Sequence, residues 1–135
     1  MQEIINNLFC YAQKCHFRVV YTSALKCHTQ SFADIESRAI VINSNWHRPN
    51  QLPFVIAHEI SHLLQCSSGD AKLSATTLLN TRYEREANYQ AIDLLVPFYV
   101  NDKEQDQVNL YEFMNLFEIP NFLEDVCYKA LISSF

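Results

Sequence analysis

Apolar positions fall into two rhythms along the chain, a helical one and a strand-like one, and together they divide the sequence into elements. Residues 2–16 carry Ile4, Ile5, Leu8, Phe9 and Ala12 at helical spacing, which predicts an amphipathic first helix. Residues 17–22 are rich in aromatic and β-branched side chains and read as a strand. Residues 31–34 and 38–43 read as two more strands, joined by a hairpin around 35–37, so a small sheet of about three strands is expected. A polar loop over 43–50, containing Trp46 and His47, leads into a long helix that starts near Asn50 or Gln51 and runs to about Gln65. Leu52, Val55, Ile56, Ile60, Leu63 and Leu64 supply its apolar surface, and Pro53 sits in its first turn, where a missing N–H does no harm. Residues 66–80 read as a loop or irregular crossover. A third helix is expected over 82–96, capped by Asn80 or Thr81, packed through Ala87, Ala91, Leu94 and Leu95, and closed by Pro97. Residues 101–107 read as a charged linker, 108–117 as a helix, and 121–132 as a last amphipathic helix. The fold class is therefore α+β and helix-rich.

The composition narrows this picture. The chain has 135 residues, 49% hydrophobic and 19% charged, which fits one globular domain over 1–135. A single glycine, Gly69, leaves little material for tight turns and agrees with a helical chain. The net charge of −5 and the scattering of ten basic residues give no reason to expect nucleic acid or a membrane surface as a partner. No signal peptide and no membrane-spanning run is visible, so a cytoplasmic protein is expected. Five cysteines without a C-x-x-C pair suggest buried thiols rather than disulfides. His16, His28 and His47 read as surface or loop residues. Tyr111, Phe113, Phe117 and Phe122 read as core.

The candidate chemistry lies in the long helix. His58-Glu59-Ile60-Ser61-His62 is an H-E-x-x-H pattern. At 3.6 residues per turn both histidines stand on one face and can reach one ion, with Glu59 at the adjacent edge. This is the geometry of a zinc hydrolase, and Zn2+ is the expected cofactor. Two histidines leave zinc short of a third protein ligand, which is expected from the next helix. Glu84 is preferred, with Asn88 one turn on as an outer hydrogen-bonding support to an imidazole. Glu86 lies about 200° around the helix from Glu84 and is expected to face solvent or pair with Arg82. Cys66, four residues after His62, is a candidate for closing a purely structural zinc site. Against these readings stand satisfied core histidines for the pair, and for Glu84 a solvated carboxylate favoured at a helix start.

His58-Glu-Ile-Ser-His62, with Glu84-Arg-Glu-Ala-Asn88 and Ala91-Ile-Asp-Leu-Leu-Val-Pro97, resembles the ImmA/IrrE family of metallopeptidases, small gluzincin-type proteins. The likeness covers roughly residues 38–97. It implies a zincin-like minimal domain with its sheet packed on the active-site helix, zinc held by His58, His62 and Glu84, and Glu59 as catalytic base. It also implies a protein substrate, a repressor encoded nearby in mobile-element, phage or stress regulation. Val96-Pro97 stands where members carry Met-Pro, and the helix-turn-helix domain fused to many relatives is not expected here.

Two functions of different classes follow. The first is a zinc-dependent endopeptidase of narrow specificity that cuts a regulatory protein. The second is a binding protein that keeps the metallopeptidase fold and inactivates a repressor by docking, as an anti-repressor. His47, Tyr83, Tyr89 and Tyr99 are candidates for stabilising an oxyanion, and the sequence places none of them over the metal.

Overall fold

Five α-helices and a three-stranded sheet account for the regular structure of the computed structural model, which describes residues 1–66 and 77–135, without the side chains of 66 and 77–81. The order is α1 (Gln2–Lys14), β1 (Arg18–Thr22), β2 (Phe32–Asp34), β3 (Ala39–Asn43), α2 (Leu52–Cys66), α3 (Thr77–Val100), α4 (Leu110–Leu116) and α5 (Glu124–Ser133). This is the helix-rich α+β fold that the patterning predicts.

The sheet has the order β1-β3-β2. β3 is central, parallel to β1 with Val20 opposite Val41, and antiparallel to β2 with Ala33 opposite Ile40. The hairpin between β2 and β3 is the expected one; the parallel pairing of β1 was not legible in the pattern. α2 packs against α1, α3, β2 and β3. It is buried on most of its circumference, through Leu52, Phe54, Ile56, Ala57, Ile60 and Leu63, as a helix central to a core must be. Phe113 and Phe117 of the C-terminal helices are fully buried in the same core.

The structure corrects several expectations. α3 begins at Thr77 and not at Arg82, because Thr and Asn, which favour caps, are also tolerated inside a helix. The rest of the expected crossover, 67–76, lies outside the described residues, as does the side chain of Cys66. Pro97 does not close α3, which runs on to Val100. The extra turn is held by Tyr99, buried, with its ring 5.3 Å from Phe113 and its hydroxyl donating to Glu112 Oε1 at 2.6 Å. Such packing outweighs the roughly 3 kcal/mol that an internal proline costs. Cys127 is buried, and burial pushes its thiol up to about 12; Cys10 and Cys27 are exposed, against the buried-thiol reading. Tyr111 and Phe122 are exposed rather than core. No helix among the described residues is long and apolar enough to cross a membrane.

A chain with one glycine must turn corners with other residues. His16, Arg38, Asp102 and Glu118 take positive φ, from 48° to 65°. At the end of α1, Phe17 N–H donates to Ala12 O at 3.0 Å and His16 N–H to Gln13 O at 2.9 Å, which is a Schellman cap with histidine in the glycine position. A side chain there costs roughly 1–2 kcal/mol, partly offset by the lower entropy of the unfolded chain. Replacing the exposed His16 by Gly is therefore expected to raise unfolding stability by about 0.5–1 kcal/mol, measured in urea. A loss of stability would show that the imidazole contributes more than its strain.

Candidate metal centre

The middle of α2 carries the site. Ile56 and Ile60 anchor one side of the helix in the core, which turns His58 and His62 toward α3 with both rings partly buried. Their Nε2 atoms lie 3.1 Å apart. From α3, Glu84 reaches both: Oε2 is 3.0 Å from His58 Nε2, and Oε1 is 2.9 Å from His62 Nε2. Two imidazole nitrogens and one carboxylate from two helices thus form a triangle of ligand groups, with a different carboxylate oxygen facing each histidine and adjacent atoms 2.9–3.1 Å apart. Ligand atoms on a tetrahedral zinc, at about 2.0–2.1 Å from the ion, are about 3.3 Å apart, so each adjacent pair lies close to the spacing that such an ion needs. The same atoms without a cation crowd two imidazole nitrogens together with one carboxylate. Among the described residues, this is the His/Cys/Asp/Glu group whose ligand atoms lie close enough, within 4.8 Å of one another, to share an ion.

Two carboxylates in this centre sit in opposite environments. Hydrogen bonds with His58 and His62 hold the Glu84 carboxyl well below the usual carboxylate range, and its side chain remains 59% exposed at the mouth of the site. Glu59 is 9% exposed, and burial pushes its carboxyl up to about 7; His58 opposes the rise and Glu84 adds to it. A cation on the triangle would draw Glu59 back toward its ionised form.

Glu84 is the residue brought to the histidines, and Glu86 pairs with Arg82 at 3.1 Å, as the helix rotation predicts. Because α3 starts at Thr77, Glu84 lies two turns inside the helix, so the macrodipole of a helix start does not account for it. Asn88 lines the same cleft as Glu84 but makes no hydrogen bond to either imidazole among the described residues. His58 Nδ1 is buried and likewise has no hydrogen-bond partner among them. Of the candidate oxyanion donors, Tyr83 lines a recess with His58 and His62. Tyr99 is occupied by Glu112 and Asn109, and His47 stacks on His28 with ring centroids 4.2 Å apart, outside both recesses.

The cleft has two recesses. One, of about 230 Å³, is walled by Trp46, Gln51, Phe54, Val55 and Asn88; the other, of about 370 Å³, by Phe32, Ala33, Ile35, His62 and Tyr83. His58, Glu59, Glu84, Gln30 and Ser31 border both. Gln30 and Ser31 carry no local sequence signal, and their position is set by Asn43 at the end of β3. Asn43 is fully buried; its side-chain amide donates to Lys26 O at 2.7 Å and Thr29 O at 2.9 Å, and its backbone N–H donates to Ser31 Oγ at 2.9 Å. On the other wall the Trp46 indole donates to Gln51 Oε1 at 2.8 Å, and Gln51 Nε2 donates to Glu118 O at 3.0 Å.

A family model described as IrrE N-terminal-like domain, Peptidase_M78, matches residues 12–120. No curated protein and no solved structure matches the chain.

Replacing Asn43 by Ala removes its two side-chain hydrogen bonds to Lys26 O and Thr29 O and is expected to cost about 1–3 kcal/mol in urea unfolding. Amide exchange should quicken at Thr29 and Asn45, whose N–H groups donate to Lys26 O and Asn43 Oδ1. An unchanged midpoint would mean that the loop is held by other contacts.

Proposed function

We propose, starting from the fact that the chain belongs to the IrrE N-terminal-like domain family of metallopeptidases, that it is a zinc-dependent endopeptidase of narrow specificity acting on a regulatory, repressor-type protein. The observation that carries this reading is the convergence of His58, His62 and Glu84 on one point, with the buried Glu59 on the adjacent edge of the same helix. In this reading His58 and His62 contribute Nε2 and Glu84 contributes its carboxylate as ligands. When bound, zinc supplies Lewis acidity, which acidifies water and polarises a carbonyl. Glu59 accepts a proton from the attacking water, the new C–O bond forms at the scissile carbonyl carbon, and the same carboxyl returns the proton to the leaving nitrogen as the C–N bond breaks.

An extended peptide fits the cleft better than a compact ligand. Among the described residues β2 is paired on one side only, and Phe32 and Ala33 line the larger recess beside His62. A free strand edge offers main-chain donors and acceptors to a peptide, which gives affinity independent of sequence. The partner proposed is a repressor whose gene lies near that of this chain.

Two measurements test the reading. Metal analysis of the purified wild type is expected to give about one zinc per chain, and Glu84→Ala to reduce this to a small fraction by removing one of three protein ligands. Full zinc occupancy in Glu84→Ala would remove Glu84 from the ligand set. Incubation with the neighbouring repressor is expected to yield defined fragments with the wild type and none with Glu59→Gln, which keeps its zinc. Repressor inactivation that survives Glu59→Gln would point instead to a docking anti-repressor.

A further inference from the structure

We propose that the shelf made by Phe122, Leu123 and Val126 beside Glu84 is a subsite for a bulky apolar side chain of the polypeptide lying across the metal centre, with Phe122 as its specificity-determining residue. The proposal rests on the reading of the centre as a peptide-binding one. Phe122 is 77% exposed, although Phe113 and Phe117, close by in sequence, are fully buried. Its position is set by the 3-10 turn Asn121–Leu123 that follows Pro120: Leu123 points into the core and anchors the turn, which leaves Phe122 outward. Core packing therefore gives no reason for an aromatic residue at 122.

The surroundings supply one. The ring lines a recess of about 460 Å³ together with Leu123 and Val126, and across it stand Glu84, Arg85, Asn88 and Tyr89 of α3. Glu84 and Asn88 also line the 230 Å³ recess at the metal centre, so the two cavities share these residues as a common border. A chain seated on the triad and continuing past Glu84 would bring a neighbouring side chain to Phe122. The wall is mostly carbon, with the Tyr89 ring 42% exposed on the far side, and its volume admits any single side chain. Bulky apolar residues gain most from such a surface, because they lose exposed area on both sides. Asn88, with no hydrogen-bond partner among the described residues, stands where its amide can meet the backbone of the same segment.

The test uses zinc-loaded Glu59→Gln protein and an arrayed library of randomised dodecapeptides, so that binding is read without cleavage. Retained peptides are expected to be enriched in Phe, Leu, Met or Tyr at one position. Adding Phe122→Ala should lower affinity for those peptides by about tenfold and erase the enrichment, while adding Phe122→Leu should retain most of it and zinc content stays constant. The subsite is overturned if Glu59→Gln shows no apolar enrichment, if Phe122→Ala leaves affinities unchanged, or if sedimentation shows that Phe122→Ala disrupts a self-association of the chain through this face. Exposing the retained peptides to the wild type tests hydrolysis separately. Selective binding without cleavage would sink the peptidase reading and leave the subsite standing.

Discussion

The packing of α3 against α2 is the constraint on which the rest of the site depends. His58 and His62 are paired by the period of one helix, but a triangle of ligand atoms exists only because α3 comes close enough for Glu84 to meet both. Ala57 on α2 and Ala87 and Ala91 on α3 are fully buried, and side chains this small allow two helices to approach. Burial of Ile56, Ile60, Ile92 and Leu95 then offsets the entropy lost in ordering the two helices. The apolar core thus brings the three polar side chains within hydrogen-bonding distance of one another.

The same packing separates the two carboxylates of the centre. Glu84 projects into the mouth, half in water, where hydrogen bonds keep it ionised. Glu59, one residue after His58, is turned into the protein, and its charge is disfavoured by desolvation. Opposite environments for neighbouring carboxylates are a recurrent way to give one a fixed charge and the other a mobile proton. Here the division follows from helix rotation: a step of about 100° from position 58 moves a side chain from the ligand face to the buried edge.

The sequence disclosed what depends on local periodicity. The histidine pair, the adjacent Glu59, the β2–β3 hairpin and the choice of Glu84 over Glu86 all follow from angles along a single element. Contributions that depend on tertiary packing were not legible. Pro97 looked like a helix end because the energy that overrides it comes from Tyr99 meeting Phe113, a contact across the fold. Phe122 looked like core because its composition matches Phe113 and Phe117, and only the 3-10 turn distinguishes it. Gln30 and Ser31 were missed as cleft residues: the pattern put Ser31 at the start of a strand and gave Gln30 no element, and their placement is set by Asn43, more than ten residues away. Asn88 was placed on the correct side of α3 by helical spacing, but spacing does not form the hydrogen bond expected of it.

Under the proposed function, that difference between helix-borne and loop-borne parts accounts for narrow specificity. The ligand set stands on two long helices, where geometry is fixed by the core and tolerates little change. Part of the walls, around Gln30, Ser31 and Trp46, is irregular chain held by individual hydrogen bonds: Asn43 to Lys26 and Thr29 on one side, and Trp46 to Gln51 to Glu118 on the other. Each of these bonds is specific to one side chain, so the walls can vary in sequence without disturbing the triad. Walls held in this way also resist opening, since to widen the cleft would take the acceptors away from the buried Asn43 amide. A strand rises about 3.3 Å per residue and presents alternate side chains to opposite faces. A substrate crossing the triad would therefore have to be locally extended, and a folded repressor would meet the requirement through a loop or terminus, or by first unfolding a segment. A substrate then has to meet two conditions at once, a side chain that fits the shelf and a segment free to extend.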